Sequence, residues 1–98
     1  MVSVGTDSVL KAARDLRFRR LDGEAVVVRQ EAAEVLVFND LAARLLELAD
    51  GRTAVGAWLN VLAGEYDVEP AELERDVLAF AAELMREGML EQVASDAL

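Results

Sequence analysis

The sequence contains no cysteine, so no disulfide, thiolate nucleophile or cysteine-based metal site can be built from it. It contains no histidine either, which removes both the commonest general base and the commonest transition-metal ligand. Cations are scarce: 10 Lys+Arg stand against 19 Asp+Glu, a formal net charge of −9. Such a surface repels a phosphate backbone, and the basic stripe of a nucleic-acid binder is missing. No run of 18 apolar residues is available to span a membrane. The opening MVSVGTDSVLKAARD lacks the charged-then-apolar layout of a signal peptide. Glycine-rich phosphate loops and metal-ligand spacings among the carboxylates are also lacking. These absences predict an acidic cytoplasmic protein with no cofactor and no metal, which binds rather than catalyses.

What is present is enough for one domain with one modest core: 98 residues, of which 54% are hydrophobic. The apolar residues are mostly Ala, Val and Leu, so the core is expected to be made of small aliphatic layers. Residues 1–16 read as an arm, in which DSVLKAARDL offers a short helix with Val9, Ala12, Ala13 and Leu16 on one side. Three strands follow. Arg17–Leu21 alternates weakly, Asp22-Gly23 is a strong hairpin turn, and Glu24–Gln30 carries valines on both faces. Residues 31–33 turn the chain again, and Glu34–Phe38 is the third strand. Short links predict an antiparallel meander with the second strand in the middle.

The period then becomes helical. Asn39 or Asp40 caps a helix with Leu41, Leu45, Leu46 and Leu48 on its apolar side, and Asp50-Gly51 stops it. Thr53 is expected to cap a second helix containing Val55, Trp58, Leu59, Val61 and Leu62. Pro70 suits the first turn of a third helix, whose early acids complement the helix dipole and which Gly88 ends. MLEQV leaves the helix as a short extended tail, and residues 92–98 lie outside the domain as the C-terminal tail. The fold class is therefore α+β: a three-stranded antiparallel sheet followed by three helices, winged-helix-like in the order of its elements.

Two features of this layout ask for a partner. The third strand, EVLVFND, carries no Lys, Pro or Gly between Val35 and Phe38, although a meander makes it an edge, and edges are usually guarded. The first strand, the other edge, does carry Arg17, Arg19 and Arg20. The third helix is apolar over roughly 200° of its wheel, twice the ~100° that a single core requires. Leu73, Val77, Phe80, Ala81 and Leu84 form one arc, and Leu78, Ala82, Met85 and Met89 form a second. The arm, the tail or a second copy could cover the strand, and the sheet could cover the second arc. One visiting peptide would answer both features, pairing with the third strand and dropping alternate side chains against the helix.

The run FNDLAARLLELADGRTAVGAWLNVLAGEYDVEPAELERDVLAFAAELMREGML resembles the PqqD-like family, the RiPP precursor peptide recognition elements. The matching features are Phe38-Asn39, Ala42-Ala43, Asp50-Gly51, Arg52-Thr53, Val55, Leu62, Tyr66, Asp76-Val77, Phe80, Leu84 and Gly88. The resemblance covers about residues 17–91, which would be the peptide-recognition domain. It implies a small winged-helix domain that binds the leader of a ribosomally made precursor peptide. The leader would add as a strand against the third strand, with the third helix as the other wall. Such a domain hands the leader to a modifying enzyme, often a radical SAM protein, and is not itself a catalyst. Carried onto this chain, the contact set is Glu34, Val35, Leu36, Val37, Phe38, Leu73, Asp76, Val77, Phe80, Ala81 and Leu84. The helical wheel adds Leu78 and Met85 and leaves open which arc lines the groove. The chain departs from the pyrroloquinoline quinone member at VRQEAAE, where that member shows a Tyr-Pro-Glu-like stretch, and at Phe38, where the family has Leu.

Competing readings differ in class. A homodimer pairing its own edges would make the chain a self-associating structural module, where a leader binder works as a monomer or dimer. A winged-helix DNA-binding regulator is opposed by charge, since the third helix offers only Arg75 and Arg86 against several acids.

Overall fold

The computed structural model describes residues 4–93; the first three residues of the predicted arm and residues 94–98 of the predicted tail lie outside the described residues. The chain runs β1 (Val9–Ala12), β2 (Leu16–Leu21), β3 (Glu24–Arg29), β4 (Glu34–Asn39), α1 (Asp40–Leu48), β5 (Asp50–Ala54), α2 (Val55–Ala63), α3 (Pro70–Arg86) and β6 (Leu90–Gln92). This is an α+β fold with two three-stranded antiparallel sheets, one ordered β2-β3-β4 and the other β5-β1-β6.

The first sheet is the expected meander. Asp22 and Gly23 both take positive φ, 38° and 81°, the pair that a two-residue I′ hairpin demands. The second link places Ala33 at φ 52°, an unusual conformation for a residue with a Cβ. β3 lies between its neighbours in continuous register, Ala25 opposite Phe38 and Val27 opposite Leu36. Period-two alternation sets the two faces. Leu16 and Phe18 of β2, Ala25 and Val27 of β3, and Leu36 and Phe38 of β4 share the core face, and Ala25 and Val27 have no exposed surface.

The second sheet is a correction to the sequence reading. Residues 9–12 form the central strand of that sheet and not a helix, and Leu10 is wholly buried. β5 and β6 flank it, where a helix stop and an extended tail were expected. Thr53 lies in β5 and does not cap α2. Its hydroxyl donates to Asp50 Oδ2 at 2.9 Å, and Asp50 Oδ1 accepts the N–H groups of Arg52 and Thr53. Ala54 occupies the cap position without a side-chain bond. The first N–H groups of α2 are met by the N-terminal segment: Val55 donates to the Ser8 carbonyl and Gly56 to the Thr6 carbonyl, both at 2.9 Å. Main-chain carbonyls here do what a capping side chain does elsewhere.

One core joins both sheets to the helices. Trp58, Leu10, Leu45, Leu62, Leu90, Val27, Val55 and Val77 are its largest fully buried side chains. On α3 the core side is Leu73, Val77, Ala81 and Leu84, spaced by four, four and three residues. The C-terminal end of α3 is held by Arg29 at the end of β3, which donates to the Glu87 carbonyl at 2.6 Å, while Gly88 leaves the helix at φ 78°. A cation at a helix C-terminus meets both the orphan carbonyls and the dipole. Asn39 ends β4 and caps α1, its side-chain oxygen accepting the Ala42 N–H at 2.9 Å. Replacing Asn39 with Ala should therefore lower stability by about 1 kcal/mol, read as a reduced urea midpoint with unchanged m-value. An unchanged midpoint would show that the cap carries no weight.

Candidate functional site

β4 pairs with β3 on one side only, and among the described residues no strand lies on its other side. The two segments that could have covered it are engaged elsewhere. β1 pairs with β6, Leu10 opposite Gln92 and Ala12 opposite Leu90, so the arm and the start of the tail close on each other in the second sheet. Every second residue of β4 therefore turns its N–H and C=O away from β3 and toward solvent.

The side chains of β4 divide by face. Val35 and Val37 point outward, 64% and 61% exposed. Leu36 and Phe38 are half-buried against the core. Glu34 stands exposed at the start of the strand, opposite Arg29. α1 packs on both β4 and α3 and thereby joins the two.

The residues expected on α3 fall into two groups. Leu73, Val77, Ala81 and Leu84 are at most 3% exposed and belong to the core, so they have no free surface to offer in the unliganded chain. Asp76, Leu78, Phe80 and Met85 are half-buried, and the three apolar ones pack at the rim of the core. Phe80, grouped by the wheel with Leu73, Val77, Ala81 and Leu84, sits at the border of the core, and Met89, placed on the second arc, lies beyond the helix and is buried. The open apolar surface of the helix is thus carried by Leu78, Met85 and Phe80.

A charged network fixes the corner where β4 turns into α1, and the sequence reading did not foresee it. Tyr66, in the α2–α3 link, donates its hydroxyl to Asp40 Oδ2. Arg20 reaches the same carboxylate from the core face of β2, Nη2 to Oδ1 at 2.7 Å, and also Glu47 at 3.4 Å. Arg44 grips Glu65 with two nitrogens, at 2.9 and 2.7 Å, and Glu47 with a third contact. The network spans β2, α1 and the loop before α3, the elements that surround the end of the open strand. The only sequence signal for it was the resemblance at Tyr66.

The hydrogen bond from Tyr66, aided by Arg20, holds the Asp40 carboxyl below the usual carboxylate range. The Arg44 guanidinium does the same for Glu65. Burial, followed by the Asp40 contact, pushes the Tyr66 hydroxyl up to about 12. Carboxylates depressed in the folded state contribute stability that is complete above their unfolded pKa values, about 4, and is lost as pH falls through the folded ones. The melting temperature should therefore be level down to about pH 5 and fall below about pH 4. Asp40→Asn should melt lower at pH 7 yet show a shallower acid decline. Parallel decline in both proteins would remove Asp40 from the acid response. Tyr66→Phe should cost about 1–2 kcal/mol at neutral pH.

Comparison with known proteins gives this geometry a family. The family described as Coenzyme PQQ synthesis protein D (PqqD) matches residues 24–90. The chain is 31% identical over 96 residues to the PqqA binding protein of Rhodopseudomonas palustris strain BisB5, covering 98% of this chain and 92% of that protein. It superposes with a TM-score of 0.72 on the solution structure of the PqqD truncation of Methylobacterium extorquens PqqCD, a stand-alone RiPP recognition element. There the identity is 29%, and the match covers 92% of this chain and 95% of that one. TbiB1 in complex with the TbiA(beta) leader peptide shares the fold with a TM-score of 0.73 at 20% identity, over 87% and 99% of the two chains. The family match covers both the strand with the open edge and the helices, and the chain belongs to the PqqD family.

Proposed function

We propose that this chain is a non-catalytic adaptor that captures the leader segment of a ribosomally synthesised precursor peptide. The leader adds as a strand along the free edge of β4 and is presented to a modifying enzyme, of the radical SAM type or another, in a cytosolic pathway related to pyrroloquinoline quinone synthesis. The observation that carries this reading is the unguarded outer edge of β4, with no strand beside it among the described residues and with Leu36 and Phe38 half-buried on one face. Main-chain hydrogen bonds along the strand supply affinity without regard to sequence, and alternate side chains supply selection. One set of leader side chains would lie on the core side of the sheet, near the half-buried Leu78, Phe80 and Met85. Met85 suits a surface that must adapt to different apolar side chains. Support also comes from relatives named for binding PqqA and from a shared fold solved with a leader peptide.

The test is an amide NMR titration of the labelled protein with two synthetic probes. One is the leader half of the short open reading frame encoded beside this gene; the other is the corresponding half of the Rhodopseudomonas palustris PqqA peptide. Shifts should concentrate on Glu34–Phe38 and on the Asp76–Met85 side of α3. If neither probe moves those resonances, leader recognition at β4 is wrong.

Paired substitutions separate the two arcs of α3. Leu78→Asp should keep the fold and weaken leader binding about tenfold or more, because it puts a charge on the half-buried surface. Val77→Asp should prevent folding, because it puts an unpaired carboxylate at a wholly buried position. Undiminished leader affinity in a folded Leu78→Asp protein would move the binding surface off this side of the helix. Val37→Pro removes an N–H that the register turns toward the open edge and should abolish leader pairing.

A further inference from the structure

The opposite face of the β2-β3-β4 sheet, which the leader edge does not use, has an ordered layout. Register sets its outward side chains in rows across the strands: Arg17–Val28–Val35, then Arg19–Val26–Val37, then Leu21–Glu24–Asn39. The result is an arginine column along β2 and two valine columns along β3 and β4. Val35, Val37 and Leu21 are three of the five large apolar side chains that stand exposed among the described residues. Arg17, Arg19, Leu21, Val26 and Val28 line a shallow open depression on this face. Neither arginine has an ion-pair partner among the described residues, in a chain whose acids outnumber its cations 19 to 10.

We propose that this face docks the peptide-modifying enzyme, through an enzyme surface that is apolar at its centre and carries carboxylates along one flank. The proposal rests on the leader-binding reading above. Charge decides between this occupant and a second copy of the chain. A two-fold pairing of this face with itself either sets arginine against arginine or lays the arginines over the Val35–Val37 column. Each copy brings to this face a single acid, Glu24, in the last row beside Leu21, too few for two arginines, whereas an acidic-flanked apolar surface satisfies the arginine and valine columns at once. Size points the same way. Three strands of six residues cover about 300 Å² in plan, against the roughly 800 Å² per partner of a stable complex. The face alone suits a transient contact. An added leader strand would widen it by one column beside Val35 and Val37, so the enzyme would touch adaptor and leader together and bind the loaded adaptor more tightly.

The test uses the full chain and the purified modifying enzyme encoded in the same gene cluster. Biolayer interferometry reads enzyme binding with and without the neighbouring leader peptide, and fluorescence anisotropy of the labelled leader reads the β4 edge separately. Arg17→Glu/Arg19→Glu and, independently, Val26→Lys should each weaken enzyme binding about tenfold or more, while leader affinity stays within about twofold and the amide spectrum stays native. Arg17→Lys/Arg19→Lys should restore most of the enzyme affinity. Raising salt from about 50 to 500 mM should weaken the wild type and leave the charge-reversed variant little changed. The proposal is overturned if both variants bind the enzyme like the wild type or lose the leader as well. It is equally overturned if the wild type sediments as a dimer that Arg17→Glu/Arg19→Glu dissociates. A wild type that binds leader but no enzyme sinks the docking face and leaves the leader reading standing. One that binds enzyme through this face but no leader does the reverse.

Discussion

The rest of the structure depends on where the chain's strand hydrogen bonds are spent. A strand must pair its backbone groups, cover them or leave them to water. In this chain the first and last described strands pair with each other: β6 lies along β1, which also pairs with β5. That sheet uses both segments that could have reached across to β4. The open edge is thus a consequence of topology. It is kept by the core residues Leu10 and Leu90, which bury the second sheet against the helices and hold β1 and β6 in that sheet.

An open edge is useful only if it is held still, since a slipping strand would lose the register that places its side chains. β4 is held along its length by its ladder to β3 and at its finish by polar contacts. At its start, Glu34 stands opposite Arg29, whose guanidinium is anchored on the carbonyls that end α3. At its finish, Asn39 caps α1, and Asp40 takes hydrogen bonds from Tyr66 and Arg20. Between its two ends, Leu36 and Phe38 grip the core and the backbone on the far side stays unpaired. The strand is therefore pre-organised, which lowers the ordering cost that a flexible peptide imposes on its receptor.

The parts of the fold that were legible in the sequence are those with a local signal. EAVVVRQ is a short β-branched run that follows the Asp22-Gly23 turn and is joined to EVLVF by a short link, so the meander and its middle strand could be read from residue type and turn chemistry. The helices were equally plain from their leucine spacing, from Pro70 and from Gly88. The second sheet was not legible, because its strands are three to five residues long and pair across most of the chain. DGRTA reads locally as a stop and a cap. It becomes β5 only because residues 9–12 lie beside it, a contact that no local pattern encodes. The two arcs of α3 were visible on the wheel, but their assignment needed three dimensions: Leu73, Val77, Ala81 and Leu84 went to the core, and Leu78 and Met85 kept surface. Arg20 read as an edge guard and Asp40 as a cap candidate, and the bridging roles of these two and of Arg29 were missed because nothing in sequence distinguishes a bridging charge from a solvated one.

The distribution of charge on the first sheet fits an adaptor with two separate contacts. An edge recognises backbone and is indifferent to the sign of its neighbours, so it can be left bare. A face recognises side chains, and here it carries cations although the chain as a whole is strongly acidic. Half of the chain's ten cations lie between Arg14 and Arg29. Two of these, Arg20 and Arg29, turn inward to hold helices in place, whereas Arg17 and Arg19 lie on the outer face beside exposed valines with no ion-pair partner among the described residues, Arg17 donating only to the Arg14 and Leu16 carbonyls. A solubilising role would be served as well by more carboxylate, which is cheap elsewhere on this surface. Cations at this location are better explained by what they meet. Because the face and the edge share β4, a leader strand paired to the edge would extend the same face. Recognition of the peptide and of its enzyme would then be geometrically continuous, with no conformational change required to connect them.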